Sequence, residues 1–378
     1  MEYLPESPRT ASFFLENLIS HCNCRIITAM FHPKFSITNK VLINIGKIEA
    51  AKEIIESAPL VPAYEAKFRQ EAILRTVHHG THIEGNPLEQ KEVEKVLAGE
   101  DIPARDRDVQ EILNYREVLK FINSKKDDSI TEKVLLETHQ LTTRKILKAD
   151  QAGKYRITQV RVTNSKTGET SYLPPPSSQI SDLIRSFFLW LNSVTNEEIH
   201  PVLKAAVTHY VITAIHPFVD GNGRTARAIS TLVLFKEGYD IKNFFSIEEY
   251  FDRDAGRYYK VLQNISNQTK KIQDRDLTSW IEYFIEGLAI ELSRIRDSVK
   301  RLSVDLKLKG KMGQIHLNER QLKLVEYMQE YGQISNKEWR SLLPMVSDDT
   351  ILRDLKVLIT KSLIRKKGST KAAIYKIK

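Results

Sequence analysis

The chain has 378 residues, 28% of them charged and 41% hydrophobic, with a mean hydropathy of −0.34. These values exclude a long disordered or low-complexity chain, and the length points to two or three domains of about 100–200 residues. The formal charge of +9 is uneven: residues 301–378 hold 17 Lys and Arg against 8 Asp and Glu, and the first 300 residues balance at 40 against 40, so the surplus speaks only for what the last segment contacts.

The chain opens Met1-Glu2-Tyr3-Leu4-Pro5-Glu6, without a basic stretch leading into an apolar one. It nowhere reaches the ~18 consecutive apolar residues of a membrane span. Cys22 and Cys24 are its two cysteines, too few to staple a chain this long or to complete a zinc site, and they read as ordinary thiols. A cytoplasmic setting with no membrane is expected. Apolar residues then recur at spacings of three and four through most of the sequence, which predicts a mostly α fold. A first helical region over residues 39–98 includes Val41 to Ile55 and Tyr64 to Ile83, broken at Gly85-Asn86-Pro87. Helices follow over Asp108 to Asn123 and Thr131 to Leu147. From Tyr155 to Leu173 alternation takes over around the turn Asn164-Ser165-Lys166-Thr167-Gly168, predicting a β-hairpin that Pro174-Pro175-Pro176 ends. Helical spacing resumes over Ile180 to Leu191 and Val202 to Ile215, restarts just after Gly223, and continues through Tyr258 to Ile265 and Leu277 to Leu302. A linker is expected at Lys307-Leu308-Lys309-Gly310-Lys311.

The segment with the most chemistry is His216-Pro217-Phe218-Val219-Asp220-Gly221-Asn222-Gly223-Arg224-Thr225-Ala226-Arg227. Gly221 and Gly223 permit backbone angles that turn successive N–H groups inward as an anion nest. The helix that follows points its free N–H groups and positive dipole end at the same spot, which suits a polyphosphate. Arg224 and Arg227 share a helix face and present planar forks to phosphate oxygens. Asp220 offers a hard oxygen ligand for Mg²⁺, and His216 titrates in the range a general base needs. Taken singly, each has an ordinary structural reading: a satisfied histidine at a helix end, an aspartate cap, two arginines on a solvated face. Their concentration in one run favours a phosphate site with a base beside it. The spacing is not that of a Walker loop or a protein kinase.

The run resembles the Fic (Fido) family motif His-Pro-Phe-x-(Asp/Glu)-Gly-Asn-(Gly/Lys)-Arg-x-x-Arg at every fixed position. The likeness also takes in His200-Pro201, Ala205 to Tyr210, Tyr172-Leu173-Pro174-Pro175-Pro176, Arg257-Tyr258-Tyr259 and Leu262-Gln263, and covers residues 40–300. It implies a Fic-type helical bundle and a protein adenylyltransferase that moves AMP from ATP to a Ser, Thr or Tyr hydroxyl of a target protein. His216 would be the general base and Asp220 the Mg²⁺ ligand. The ATP phosphates would meet Gly221, Asn222, Gly223, Thr225 and Ala226, with Arg224 on the β-phosphate and Arg227 on the γ-phosphate. Residues 156–172 would be the flap that takes the target segment as an added strand. Tyr258 and Tyr259 lie where the family lines its nucleoside pocket, although aromatic residues at helical spacing are core about as often. Gly223 stands where a phosphate-transferring branch carries lysine.

Thr81-His82-Ile83-Glu84-Gly85-Asn86 resembles the family's inhibitory helix, (Ser/Thr)-x-x-x-Glu-(Gly/Asn). The resemblance pairs Glu84 with Arg227, so that a carboxylate occupies the place of the γ-phosphate. Gly80 departs from the pattern, since Ser/Thr is expected there. The competing readings are a polar residue near a helix end, or metal binding by His78, His79 and His82, which lack acidic or Cys partners in metal-site spacing.

Residues 315–378 follow the order of a winged helix: Leu322 to Tyr327, Asn336 to Leu343, Asp348 to Ile359, then alternation from Leu363 to Ile377 around Gly368. Arg353, Lys356, Arg365, Lys366, Lys367 and Lys371 are candidates for DNA phosphates, with protein docking as the equal alternative. The expected domains are an N-terminal helical region with the inhibitory helix (1–100), a catalytic core (101–305) and a small C-terminal winged helix-turn-helix (312–378). Candidate partners are a target protein, the chain itself as target, DNA through 312–378, and a second copy in a homodimer. A nucleotide-sensing DNA-binding regulator is the alternative function.

Overall fold

The computed structural model describes residues 31–60, 62–163, 170–193, 198–302, 317–368 and 373–378. Cys22, Cys24, the turn at 164–168, the linker at 307–311 and Lys371 lie outside the described residues.

The described residues are mostly helical. Helix α1 (Asn39–Ser57) starts at Thr38, whose hydroxyl accepts the Val41 N–H and donates to Glu282 at 2.6 Å. Its buried Val41, Ile48, Ala51 and Ile55 pack against α11 (Thr278–Leu302). Helix α2 (Pro62–His82) is pinned from several sides. Arg75 pairs with Glu249 and Glu291, each at 2.6 Å, and His79 and His82 both bond Asp252, at 2.7 and 2.8 Å. Helices α3 (Gln90–Ala98), α4 (Asp106–Ser124) and α5 (Glu132–Thr142) follow. The expected helix to Leu147 stops at Thr142 because the Asn114 amide takes the carbonyls of Thr142 and Arg144, at 3.2 and 2.7 Å.

The hairpin is shorter than alternation predicts. Strand β1 (Val162–Thr163) pairs antiparallel with β2 (Thr170–Tyr172), but residues 155–160 stay outside the ladder. There Arg156 is buried, its N–H donates to Pro217 O at 2.9 Å, and its guanidinium serves the carbonyls of His216, Thr158 and Pro175. The backbone is thus tied to the motif loop instead of to a partner strand.

The centre of the bundle is α7 (Pro201–Ile215), nearly every residue of which is buried. Its sequence is apolar all round, as a helix enclosed on every side requires. It carries Pro at its first position, and α6 (Ile180–Ser193), α8 (Asn222–Lys236) and α11 surround it. Helices α9 (Ile247–Arg253) and α10 (Ala255–Ser266) close one side with an aromatic cluster around Phe251, Tyr258 and Trp280.

A separate small core forms the C-terminal module. It contains α12 (Glu319–Tyr331), β3 (Ile334–Ser335), α13 (Asn336–Leu342), α14 (Asp348–Thr360), β4 (Ile364–Lys367) and β5 (Ile374–Ile377), with sheet order β3-β5-β4. Leu324, Met328, Trp339, Ile351, Leu355, Leu358 and Tyr375 fill it. The module touches α2 near that helix's start: the Tyr64 hydroxyl donates to Glu326 O at 3.1 Å, and Lys67 meets Glu330 at 2.7 Å.

Candidate active site

The site is built where α7 ends and α8 begins. His216 caps α7 in the left-handed region (φ 50°, ψ 59°), an arrangement sparsely populated by non-glycine residues and held here by neighbours on both sides. Its N–H bonds Ile212 O at 3.0 Å, and its carbonyl accepts from Arg156 Nε at 2.9 Å. His216 Nδ1 faces the Thr213 carbonyl at 3.3 Å, which places the hydrogen on Nδ1 and leaves the Nε2 lone pair for chemistry. Burial lowers its pKa to about 4, against the opposing pull of the Thr213 carbonyl, so the ring is neutral at neutral pH.

Asn222 closes the loop between the two helices. Its side-chain oxygen accepts the Phe218 N–H and its amide donates to Phe218 O, both at 2.9 Å. This buried side chain therefore braces the loop, and its contribution to an anion would come from backbone alone. Gly221 (φ 76°) is the residue before α8. A Cβ there would stand 2.9 Å from the Thr143 methyl. Helix geometry leaves the N–H groups of Asn222, Gly223 and Arg224 without intrahelical acceptors. Thr225 N–H already bonds Gly221 O at 3.0 Å, and the Thr225 and Ala226 side chains are fully buried.

Arg224 and Arg227 are both almost wholly buried, and each faces a carboxylate. Arg227 donates from Nη1 to Glu84 Oε1 at 2.8 Å and from Nη2 to the Gly80 carbonyl at 2.7 Å. Burial opposes its charge, but Glu84 and the surrounding tyrosines hold the guanidinium protonated far above the usual arginine range. Arg224 Nη1 lies 3.2 Å from Glu111 Oε1 on α4, and Nη2 lies 3.6 Å from Asp220 Oδ1. Arg224 Nε and Arg227 Nε are buried without a hydrogen-bond partner, and Arg224 Nη1, although ion-paired with Glu111, makes no well-directed hydrogen bond to it. Buried guanidinium donors left unmade are costly, and a phosphate is the group that satisfies several at once. The residues therefore fit a nucleotide polyphosphate.

Asp220 is half-exposed, with Oδ1 accepting the Gly221 N–H at 2.6 Å and Oδ2 accepting Arg107 Nη2 at 2.9 Å. Arg107 is an exposed side chain at the mouth, so a cation could replace it on this carboxylate at small cost. Among the described residues no group of three or more His, Cys, Asp or Glu forms a metal cage. A hard cation shared between one carboxylate and phosphate oxygens, as Mg²⁺ usually is, needs none.

Glu84 sits on a turn that follows α2, where Glu84 and Asn86 N–H groups both reach Thr81 O, at 3.0 and 3.2 Å, and Gly85 is left-handed (φ 96°). Gly80 leaves room for Tyr115: a Cβ at position 80 would come within 3.2 Å of ring atoms Cδ1 and Cζ and closer still to Cε1. The Thr81 hydroxyl bonds back to Val77 and His78 carbonyls and gives Glu84 no support. Tyr259, partly exposed, donates to Ile83 O at 2.8 Å and so ties the turn to α10. Tyr258 is fully buried, bonded to His209 Nε2 at 3.1 Å and packed in the aromatic core, while its hydroxyl also faces the Arg227 guanidinium.

Four residues of this site escaped sequence reasoning: Arg107 and Glu111 on α4, His139 on α5 and Arg156. Asn86, two residues past Glu84, donates to Glu111 Oε2 at 3.0 Å and to Asp108 O at 3.1 Å, linking the turn to the Arg224 side. No local signal marks them, because they converge only through packing.

A model of the Fic/DOC family matches residues 129–234. The matched segment, which is similar to a Fic/DOC domain, runs from just before α5 almost to the end of α8, so it holds His139, Arg156 and the whole His216–Arg227 run. Glu84, Arg107, Glu111, Tyr258 and Tyr259 lie outside the matched segment. Among curated proteins, "Protein adenylyltransferase Fic" of Nematostella vectensis is 30% identical over 222 residues, covering 55% of this chain and 48% of that protein. "Protein adenylyltransferase fic-1" of Caenorhabditis elegans is 32% identical over 181 residues, 46% of this chain and 34% of that protein. The chain thus spans at most about half the length of these relatives. A Fic family protein from Desulfovibrio desulfuricans shares the fold at a TM-score of 0.63 and 21% identity, over 92% of this chain and 98% of its own. A Fic-domain signalling protein from Bacteroides thetaiotaomicron does so at 0.58 and 24%, over 69% and 96%.

Proposed function

We propose that this chain is an ATP- and Mg²⁺-dependent protein adenylyltransferase whose resting state is held off by Glu84. The observation that carries the reading is the pair of buried motif arginines with unpartnered donors, set beside a histidine whose Nε2 lone pair is free. His216 Nε2 takes the proton of a target Ser, Thr or Tyr hydroxyl as that oxygen attacks the α-phosphorus of ATP. The new bond joins oxygen to the α-phosphorus, the bond from the α-phosphorus to the bridging oxygen breaks, and pyrophosphate leaves. Asp220, once released by Arg107, would hold Mg²⁺, which neutralises charge developing on the phosphates. Arg224 and the free N–H groups at the start of α8 take the β-phosphate, and Arg227 takes the γ-phosphate.

Glu84 already occupies Arg227, so the γ-phosphate meets a carboxylate in its place and the nucleotide binds weakly or out of line. Target residues would add as a strand beside β1 and β2, which are fixed below by the Tyr172 hydroxyl donating to Ala214 O at 2.7 Å. Exposed Ile157 and Leu173 flank that strand pair and offer apolar contact to a protein segment. The chain's own hydroxyls are candidate targets as well. No helix among the described residues is long and apolar enough to cross a membrane, and a reducing cytoplasmic setting suits a chain with two cysteines.

The names of the curated relatives favour this reading over a nucleotide-sensing regulator. For residues 312–378 we retain DNA as the proposed partner on one observation: β4 turns Arg365, Lys366 and Lys367 all to solvent. Duplex binding that weakens as salt rises from about 50 to 200 mM supports it; salt-independent or absent binding sinks it. For the reaction class, the Glu84→Gly protein is incubated with Mg²⁺ and ATP labelled at the α or the γ phosphate. Protein carrying α label supports adenylyl transfer, whereas γ label would replace it with phosphorylation.

A further inference from the structure

The motif loop rests on the C-terminal end of α5, where His139, Thr142 and the following Thr143 are buried. His139 Nδ1 accepts the Gly153 N–H at 2.9 Å. That donor decides the tautomer: the ring hydrogen is on Nε2, and Nε2 donates to the Asp220 carbonyl at 3.0 Å. The His139 ring also lies flat on Phe218, with centroids 3.7 Å apart and planes 2° from parallel. Next in the chain, Gly221 is left-handed, and a Cβ there would meet the Thr143 and Thr142 methyls at 2.9 and 3.4 Å and His139 Cδ2 at 3.6 Å.

We propose that His139 is a positioning residue, which fixes the Asp220 carbonyl and so aims both the Asp220 carboxylate and the first turn of α8 at the phosphates. The peptide after Asp220 is the hinge of the loop. Its carbonyl is held by His139, and its N–H is taken by the Asp220 carboxylate at 2.6 Å. Without the ring nitrogen, rotation of this one peptide swings the carboxylate and the glycine N–H groups together, while Phe218 stays buried and the bundle keeps its core. His139 touches no reacting atom; it acts through Asp220 and Gly221. The catalytic part of this inference rests on the adenylyltransferase reading, and the nucleotide-binding part does not.

The test uses the full chain carrying Glu84→Gly, with His139→Phe or His139→Gln added. Phenylalanine keeps a ring against Phe218 but has no nitrogen. Glutamine loses the ring, yet its amide accepts and donates in place of the two nitrogens. Binding of Mg²⁺-ATP is measured by calorimetry, AMP transfer as rate against ATP concentration, and folding as the thermal midpoint. Losing one such neutral hydrogen bond corresponds to up to about tenfold in affinity. His139→Phe is therefore expected to weaken ATP binding about tenfold and to lower kcat with only a small change in midpoint. His139→Gln should bind ATP within about threefold of the parent. A phenylalanine variant that binds ATP as the parent does overturns the proposal, and so does a glutamine variant as weak as phenylalanine. Should His139→Phe fail to fold, glutamine decides alone: parent-like binding supports the role, and a tenfold loss refutes it. A parent that binds ATP but takes up no α label refutes the transferase reading, and the binding comparison still decides His139.

Discussion

Gly223 lies against Glu84 so closely that a Cβ on the glycine would stand 3.0 Å from the Glu84 carboxyl carbon, nearer still to Oε1, and 3.2 Å from Arg227 Nη1. The missing side chain of one motif residue is thus what admits the carboxylate to another. Gly223→Ala is expected to push Glu84 off Arg227 and to raise AMP incorporation several-fold over wild type, short of the level reached by Glu84→Gly. Labelling with α-labelled ATP checks the order, and an alanine variant no more active than wild type contradicts it.

Removing Glu84 leaves Arg227 buried beside the Gly80 carbonyl without a counter-charge. Breaking a fully buried pair costs about 3–5 kcal/mol, and the part-exposed Glu84 reduces that to about 1–2 kcal/mol. Glu84→Gly should therefore lower the thermal midpoint, and Mg²⁺-ATP should recover more stability in this variant than in wild type. Equal ATP stabilisation in the two proteins would disprove competition at Arg227.

Three buried histidines set the acid limit of the fold. Burial lowers His139 and His216 to about 4 and lowers His209 well below its ordinary range, all under the ~6.5 of an unfolded chain. Between those values the unfolded chain binds more protons than the native one, so stability is complete above about pH 6.5 and falls as pH drops toward 4. Glu248, raised by burial despite Arg227 nearby, works the other way. Burial lowers His78 and His200 as well, in the same direction as the three, so the thermal midpoint should decline steadily from pH 7 to pH 4, and a flat or rising profile counts against the neutral, buried assignment of these rings.

Position 80 is closed to any side chain by Tyr115, which is itself fixed by its hydroxyl on buried Glu248 at 3.1 Å. Gly80→Ser should destabilise by about 1–3 kcal/mol, as overpacking does. It should also loosen the Gly80 carbonyl from Arg227. Denaturant unfolding of the variant checks the first effect, and a midpoint equal to wild type would mean that the Tyr115 ring yields.

What was legible in the sequence follows its periodicities and its one contiguous motif. Periodicity predicts a helix over Asp348 to Ile359 and the helix is Asp348–Thr360; Val202 to Ile215 is the apolar centre of the bundle. The short hairpin was overestimated because Arg156 spends the local backbone on the motif loop, a contact 60 residues long in sequence. The motif sets Asn222 on phosphate through its backbone N–H, and its side-chain amide is committed to Phe218 instead. Glu111 and Arg107 left no trace in the sequence, since a charged residue on an amphipathic helix is the same letter whether it faces solvent or a buried arginine.

The central claim, AMP transfer from ATP with His216 as general base and Glu84 as the restraint, is tested most directly by α-phosphate label taken up by four proteins: wild type, Glu84→Gly, His216→Ala and the double variant. Loss of a general base costs about 10²–10⁴-fold. The account predicts strong uptake by Glu84→Gly, weak uptake by wild type, and none above background in either protein lacking His216. Uptake by the double variant equal to that of Glu84→Gly would contradict it.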